Sequence, residues 1–202
     1  MISAGEVSSL YGEGVEAVER LASEVTGEAW DRPVCGDWSA ATTVRHLLVV
    51  TRWYHDWLDR AAGGVSDRPF PGSSIDDENE KALRELADVP PTEAVAEFLV
   101  SARGYLDRVV DSWDRPFGYP FGVVTAGLHC GVAAAEWHLH AWDLSQLADQ
   151  RHEPADPRGL FVAAGSCLSE AQSGFRAVLM RRLVIVGSRW RPWPTMLSQS
   201  GR

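Results

Sequence analysis

The sequence has a single lysine, Lys81, among 202 residues, and arginine supplies the other cations. A net charge of -9 and a pI near 5.1 leave no basic stripe for phosphate contacts, which excludes the ordinary kinds of nucleic-acid protein. Only "RRL" at 181–183 and "RWR" at 189–191 concentrate arginine. Cysteine is scarce too: Cys35, Cys130 and Cys167 are odd in number and form no C-x-x-C pair, which argues against a disulfide framework and a thiolate zinc cluster. No window holds the ~18 to 20 apolar residues that span a bilayer. "MISAGEVSSLYGEG" has neither the basic nor the apolar region of a secretory signal, so the expected location is cytoplasmic. Arginine in place of lysine is what a GC-rich genome produces.

What is present is helical periodicity. Val7, Leu10, Val15, Val18, Leu21 and Val25 recur mostly at steps of three or four, which predicts a helix from about residue 3 to 26. Ser39 is placed to cap a second helix from about 40 to 62, ended by Gly63 and Gly64. "IDDENEKALRELAD" reads as a short exposed helix, and Thr92 as the cap of "EAVAEFLVSARGYLDRVVDSW". The longest apolar segment, about 123 to 149, predicts a helix apolar nearly all round and central to the fold. "RGLFVAAGSCLSEAQSGFRAVLM" reads as a further helix, while "RRLVIVGSRW" and the tail from about 181 stay unassigned. With no confident strand pattern, repeat or heptad, the expectation is an all-α single domain over 1–202. Its architecture is a four-helix bundle, antiparallel or up-up-down-down, with an extra C-terminal helical segment.

Into this apolar helix the chain puts "AEWHLHAWDL" at 135–144. Glu136 and His140, four apart, share a face and can reach one ion, whereas His138 points away and suits packing or a hydrogen bond. A glutamate there loses several kcal/mol on desolvation unless a cation or partner sits beside it. "TVRHLLVV" offers His46 as a third ligand. His55, nine residues on, faces the opposite side and reads as a surface residue; His129, seven before Glu136, is a reserve ligand. Against the metal reading stands the plain one, a set of hydrogen-bonded core histidines.

"WDRPVCGDWSAATTVRHLLVV" and "EWHLHAWDLSQLA" resemble the two signature regions of the DinB-like metal-binding proteins. The closest likeness is to the branch named for mycothiol-dependent maleylpyruvate isomerase, and "PWPTMLSQSGR" is similar to that branch's closing segment. The resemblance implies a DinB-like bundle in which His46, Glu136 and His140 hold a divalent ion, usually zinc, with further positions for water or substrate. Asp143 then either supports a histidine N–H or caps the chain locally, with the structural role preferred. Trp30, Trp38 and Cys35 match a recurring loop pattern of the family, in which Trp38 reads as an anchor in the core and Cys35 as buried, and Arg45 and Arg52 read as solvated charges.

Three N/O ligands with an open position describe a catalytic metal site. The family likeness implies a low-molecular-weight thiol such as mycothiol acting on a small electrophile, as S-transferase or isomerase. The maleylpyruvate enzyme itself has a further C-terminal domain, for which this chain has little room, so maleylpyruvate is not the expected substrate. The competing readings are another metal-dependent enzyme, hydrolase or biosynthetic lyase, and a non-catalytic metal- or ligand-binding bundle. Expected partners are the electrophile and the thiol, with no nucleic acid and no membrane; a homodimer is left open.

Overall fold

A computed structural model describes residues 2–65, 67–120 and 122–170, with side chains to 165. The segments "RRLVIVGSRW" and "PWPTMLSQSGR", and the second half of the sixth expected helix, lie outside the described residues.

Helix α1 (Ala4–Glu24) starts at a capping box, in which the Ser3 hydroxyl accepts from the Glu6 backbone N–H while the Glu6 carboxylate accepts from that of Ser3. Its buried stripe is the one expected, Val7, Leu10, Val15, Val18 and Leu21, with Tyr11 added. The punctuated loop then forms a hairpin, β1 (Pro33–Cys35) with β2 (Trp38–Ser39), turning at Gly36 with φ +60, a conformation that costs glycine little. Ser39 caps α2 (Ala40–Ala62) through the Thr42 N–H, as its position predicts.

α3 (Ile75–Glu85) is capped by Ser74. α4 (Pro91–Val110) begins a residue before the expected Thr92 cap. Pro91 takes the first helical position, where its missing N–H costs nothing, and Pro90 occupies the cap without a side-chain bond. Next comes a second hairpin, β3 (Pro116–Tyr119) with β4 (Gly122–Thr125), paired antiparallel from Pro116↔Thr125 to Tyr119↔Gly122. The sequence carries no confident strand pattern at either loop, yet both fold into short hairpins beside an all-α bundle. In the second, the β-branched Val123, Val124 and Thr125 pair with a neighbour instead of joining the helix, so α5 (Ala126–Leu144) starts later than 123. It also ends short of 149, in a single 3-10 turn over Ser145–Leu147. α6 (Pro157–Glu170) follows.

α1, α4, α2 and α5 pack side by side around the core, α1 most extensively on α5, and α6 packs on α5 and touches α1. α5 is buried almost all round, with Trp137 wholly enclosed, which matches its lack of a polar face. Each such leucine or aromatic side chain taken from water contributes about 1.5–3 kcal/mol. His138 turns away from Glu136 as its position predicts: Nε2–H donates to the Leu10 carbonyl (2.9 Å) and Nδ1 meets His152 Nε2 (2.9 Å). It thereby ties α5 to α1 and to the segment before α6. Among the described residues no helix is long and apolar enough to cross a membrane.

Candidate metal centre

α2 contributes His46 and α5 contributes Glu136 and His140, and their ligand atoms lie within 4.8 Å of one another. His46 Nε2 stands 3.1 Å and His140 Nε2 3.3 Å from the same oxygen, Glu136 Oε1. The ring centroids are 5.1 Å apart in an edge-on arrangement. The two histidines and the glutamate singled out in the sequence thus form one cluster.

The other nitrogen of each ring is already committed. His46 Nδ1–H donates to Asn79 Oδ1 at 2.7 Å, and His140 Nδ1–H to Asp143 Oδ2 at 2.9 Å. These bonds fix the tautomers that leave both Nε2 atoms facing Glu136. Two lone pairs and a carboxylate oxygen cannot converge unless something positive lies between them. Without an ion that role falls to an extra proton. Burial works against a charged His140, but hydrogen bonds with Asp143 and Cys35 and the Glu136 carboxylate outweigh it and hold its pKa well above the usual value. Burial likewise disfavours ionised Glu136, yet the bonds and charge of His140 and His46 hold its carboxyl well below the ordinary range.

Asp143 therefore orients His140, where a local structural role was preferred. Asn79 was missed altogether in a helix read as exposed; it is the buried residue of α3. It stands in the stripe Ile75, Asn79, Leu83, Leu86, whose steps of four, four and three mark an inward face even though one member is polar. Cys35, at the end of β1, is half-buried and its Sγ belongs to a second cluster with His140 and Asp143, so it adjoins the centre at His140. Cys130 is buried, and burial pushes its thiol up to about 12, which makes it inert.

The remaining sequence candidates fall elsewhere. His129 does not join the cluster: its Nδ1 accepts from the Tyr105 hydroxyl (2.6 Å), and the rings of Tyr54, Phe117 and Tyr119 surround it with centroids 4.4 to 4.9 Å away. His55 is no simple surface residue. Its Nε2–H donates to the Ser101 carbonyl at 2.8 Å and its Nδ1 accepts from Arg108, bridging α2 to α4. Arg45 departs from the solvated reading too, since its Nε and Nη2 both donate to the Val89 carbonyl (3.0 and 2.8 Å). Arg52 pairs with Glu97 at the surface, as a solvated charge does. Trp30 is buried.

Trp38 is only half-buried, and its ring lies 5.0 Å from that of His46. It forms part of the wall of a cavity of about 1110 Å³ that opens on His46 and Glu136. The Glu136 side chain is 17% exposed, so the cluster is reachable from this cavity. Its other walls come from Trp53 and Trp57 of α2, the loop before α3, and Tyr119 of β3.

Fold and site together define a helical-bundle protein with a two-histidine, one-glutamate cluster facing a large cavity. The chain belongs to the family described as the mycothiol maleylpyruvate isomerase N-terminal domain, whose model matches residues 11–145 and so takes in His46, Asn79, Glu136, His140 and Asp143. Searches of curated proteins and of solved structures found no match.

Proposed function

We propose that the chain is a metal-dependent enzyme of thiol chemistry, an S-transferase or isomerase that uses a low-molecular-weight thiol such as mycothiol on a small electrophile. His46 Nε2, His140 Nε2 and Glu136 would hold the divalent ion, with zinc favoured by an N/O donor set of this kind. The observation that carries the reading is the outward commitment of both Nδ1–H groups, to Asn79 and Asp143, which leaves three electron-rich atoms converging on one point. An ion bound there would supply a Lewis acid able to keep a thiol ionised at neutral pH.

The chain's own residues do the rest. Asn79 and Asp143 hold the imidazoles in register, Trp38 covers His46 on one side, and the cavity admits a second reactant beside Glu136. Thiol chemistry is favoured over hydrolysis by the family match, whose description carries mycothiol. A reduced thiol pool also suits a cytoplasmic location.

The test is metal content per chain, on protein purified without a histidine tag, for the wild type and for His46→Ala and His140→Ala. A stoichiometric ion lost from both variants, with thiol-dependent turnover of electrophiles by the wild type, supports the reading. No ion under metal-replete conditions overturns it, and an ion with turnover of electrophiles by water alone favours a hydrolase.

A further inference from the structure

Two tyrosines of the core spend their hydroxyls on protein acceptors: Tyr11 donates to the Ala102 carbonyl (2.9 Å) and Tyr105 to His129 Nδ1 (2.6 Å). Tyr54 does not. The residue is 5% exposed, yet among the described residues its hydroxyl has no hydrogen-bond partner. Nor is its oxygen one of the polar atoms sealed in the interior without a partner, which are His129 Nε2 and Trp137 Nε1. Its opening is the cavity, whose wall it shares with His46, Val50 and Glu136.

Tyr54 follows His46 by eight residues on α2, a little over two turns. A helical side chain slants back toward the N-terminus of its helix, which here is toward Val50 and His46. Four rings hold that of Tyr54 in place: His129 edge-on at 4.4 Å, Tyr105 at 5.4 Å, Trp57 at 5.6 Å, and Trp137, the neighbour of Glu136, at 5.9 Å. Packing on this scale fixes the direction of the hydroxyl. Burial, the largest influence on it, holds the phenol well above its usual 10, so the group is an O–H donor. An idle donor in such a wall is costly, and phenylalanine would fill the same space without that cost.

We infer that Tyr54 is a substrate-binding residue of this site, whose hydroxyl donates to an oxygen of the electrophile and so selects electrophiles that carry a carbonyl-type acceptor. When a thiolate adds to a carbon conjugated with a carbonyl, a C–S bond forms and the displaced π pair moves onto the carbonyl oxygen. A donor already facing that oxygen stabilises the charge, and loss of the thiolate returns the pair. The inference deepens the proposed function and rests on it for calling the bound molecule an electrophile; the donor itself stands on the cavity.

Two probes of one shape test it: acetophenone, and α-methylstyrene, in which a methylene replaces the carbonyl oxygen. Affinity is measured by ligand-observed NMR on the metal-replete protein with no thiol present, so that nothing turns over. Tyr54→Phe removes one oxygen and keeps the ring. It should weaken acetophenone about fivefold, the loss typical of one hydrogen bond, and α-methylstyrene about twofold at most. Should that variant fail to fold, Tyr54→Met fills the space without an oxygen and is read by the same ratio between the two probes. A merely structural role would weaken both probes alike. Equal weakening, no weakening of acetophenone, or no binding of acetophenone to the wild type overturns the inference. Metal assayed on the same samples separates the two ideas. A retained ion with both probes weakened alike sinks this inference alone, and a missing ion with the selective loss of acetophenone intact sinks the proposed function alone.

Discussion

His46 of α2 and Asn79 of α3, 33 positions apart in the chain, are joined by a 2.7 Å hydrogen bond between Nδ1 and Oδ1. Asn79 is buried, and the bond leaves His46 Nε2 aimed at Glu136. A short acidic helix thus sets the orientation of a residue in the main bundle.

Asn79→Leu should keep the helix and remove that orientation. Loss of an orienting partner typically lowers metal affinity 10- to 100-fold, and a competition titration against a chromogenic chelator should show a decrease of that size with little change in helical content. Unchanged affinity would mean that Asn79 has no part in the centre.

An ion bound to the folded chain and not to the unfolded one raises apparent stability, by about 2.7 kcal/mol at a free concentration a hundredfold above Kd. Zinc should therefore raise the melting temperature of the wild type and a chelator should lower it again. Glu136→Gln should blunt both effects, because the amide brings no charge to the cluster.

Acid should unfold the protein through histidines away from that cluster. Burial lowers His129 from 6.5 to about 3, against a weaker opposing effect from Glu136; burial, aided by the charges of His138 and Arg20, lowers His152 to about 3. Both groups take up a proton more readily when unfolded. Their contribution is complete above pH 6.5 and is lost as the pH falls from there toward 3. Urea midpoints measured over that window should fall steadily, and His152→Gln should flatten the slope.

Gly131→Ala should destabilise the chain even though alanine is better in a helix by about 1 kcal/mol. A Cβ at Gly131 would lie 2.6 Å from the Ala163 carbonyl oxygen and 2.8 Å from its carbon, and backbone in α6 cannot swing aside as a side chain would. The expected net loss is about 1–3 kcal/mol, read from chemical unfolding. A stabilised variant would show that α6 can shift away from α5.

Much of the fold was legible because it is written in local periodicity. The buried stripe of α1, the Ser39 cap of α2 and the all-round burial of α5 each follow from spacing or capping chemistry within a few residues. The hairpin at 116–125 was not, since Val123 to Thr125 suit a helix start as well as a strand until Pro116 to Tyr119 pair with them. At the site, the four-residue spacing of Glu136 and His140 and the histidine within the apolar run "TVRHLLVV" were legible, and the resemblance chose the same three residues. Arg45 was misjudged because whether a charged side chain is solvated or committed depends on what lies across from it, here the Val89 carbonyl.

By itself the sequence determined the helical class, the four main helices and the presence of a polar pair inside an apolar helix, because these depend on residue types at fixed intervals along one backbone. Only the tertiary structure decided that Asn79 and Asp143 hold the two imidazoles, that His129 is enclosed in a separate aromatic nest, and that Trp53, Phe70 and an acidic helix share one cavity with the cluster. Except for Asp143, which reaches His140 three residues back on α5, those relationships join residues on different elements, and their geometry is set by how the helices pack.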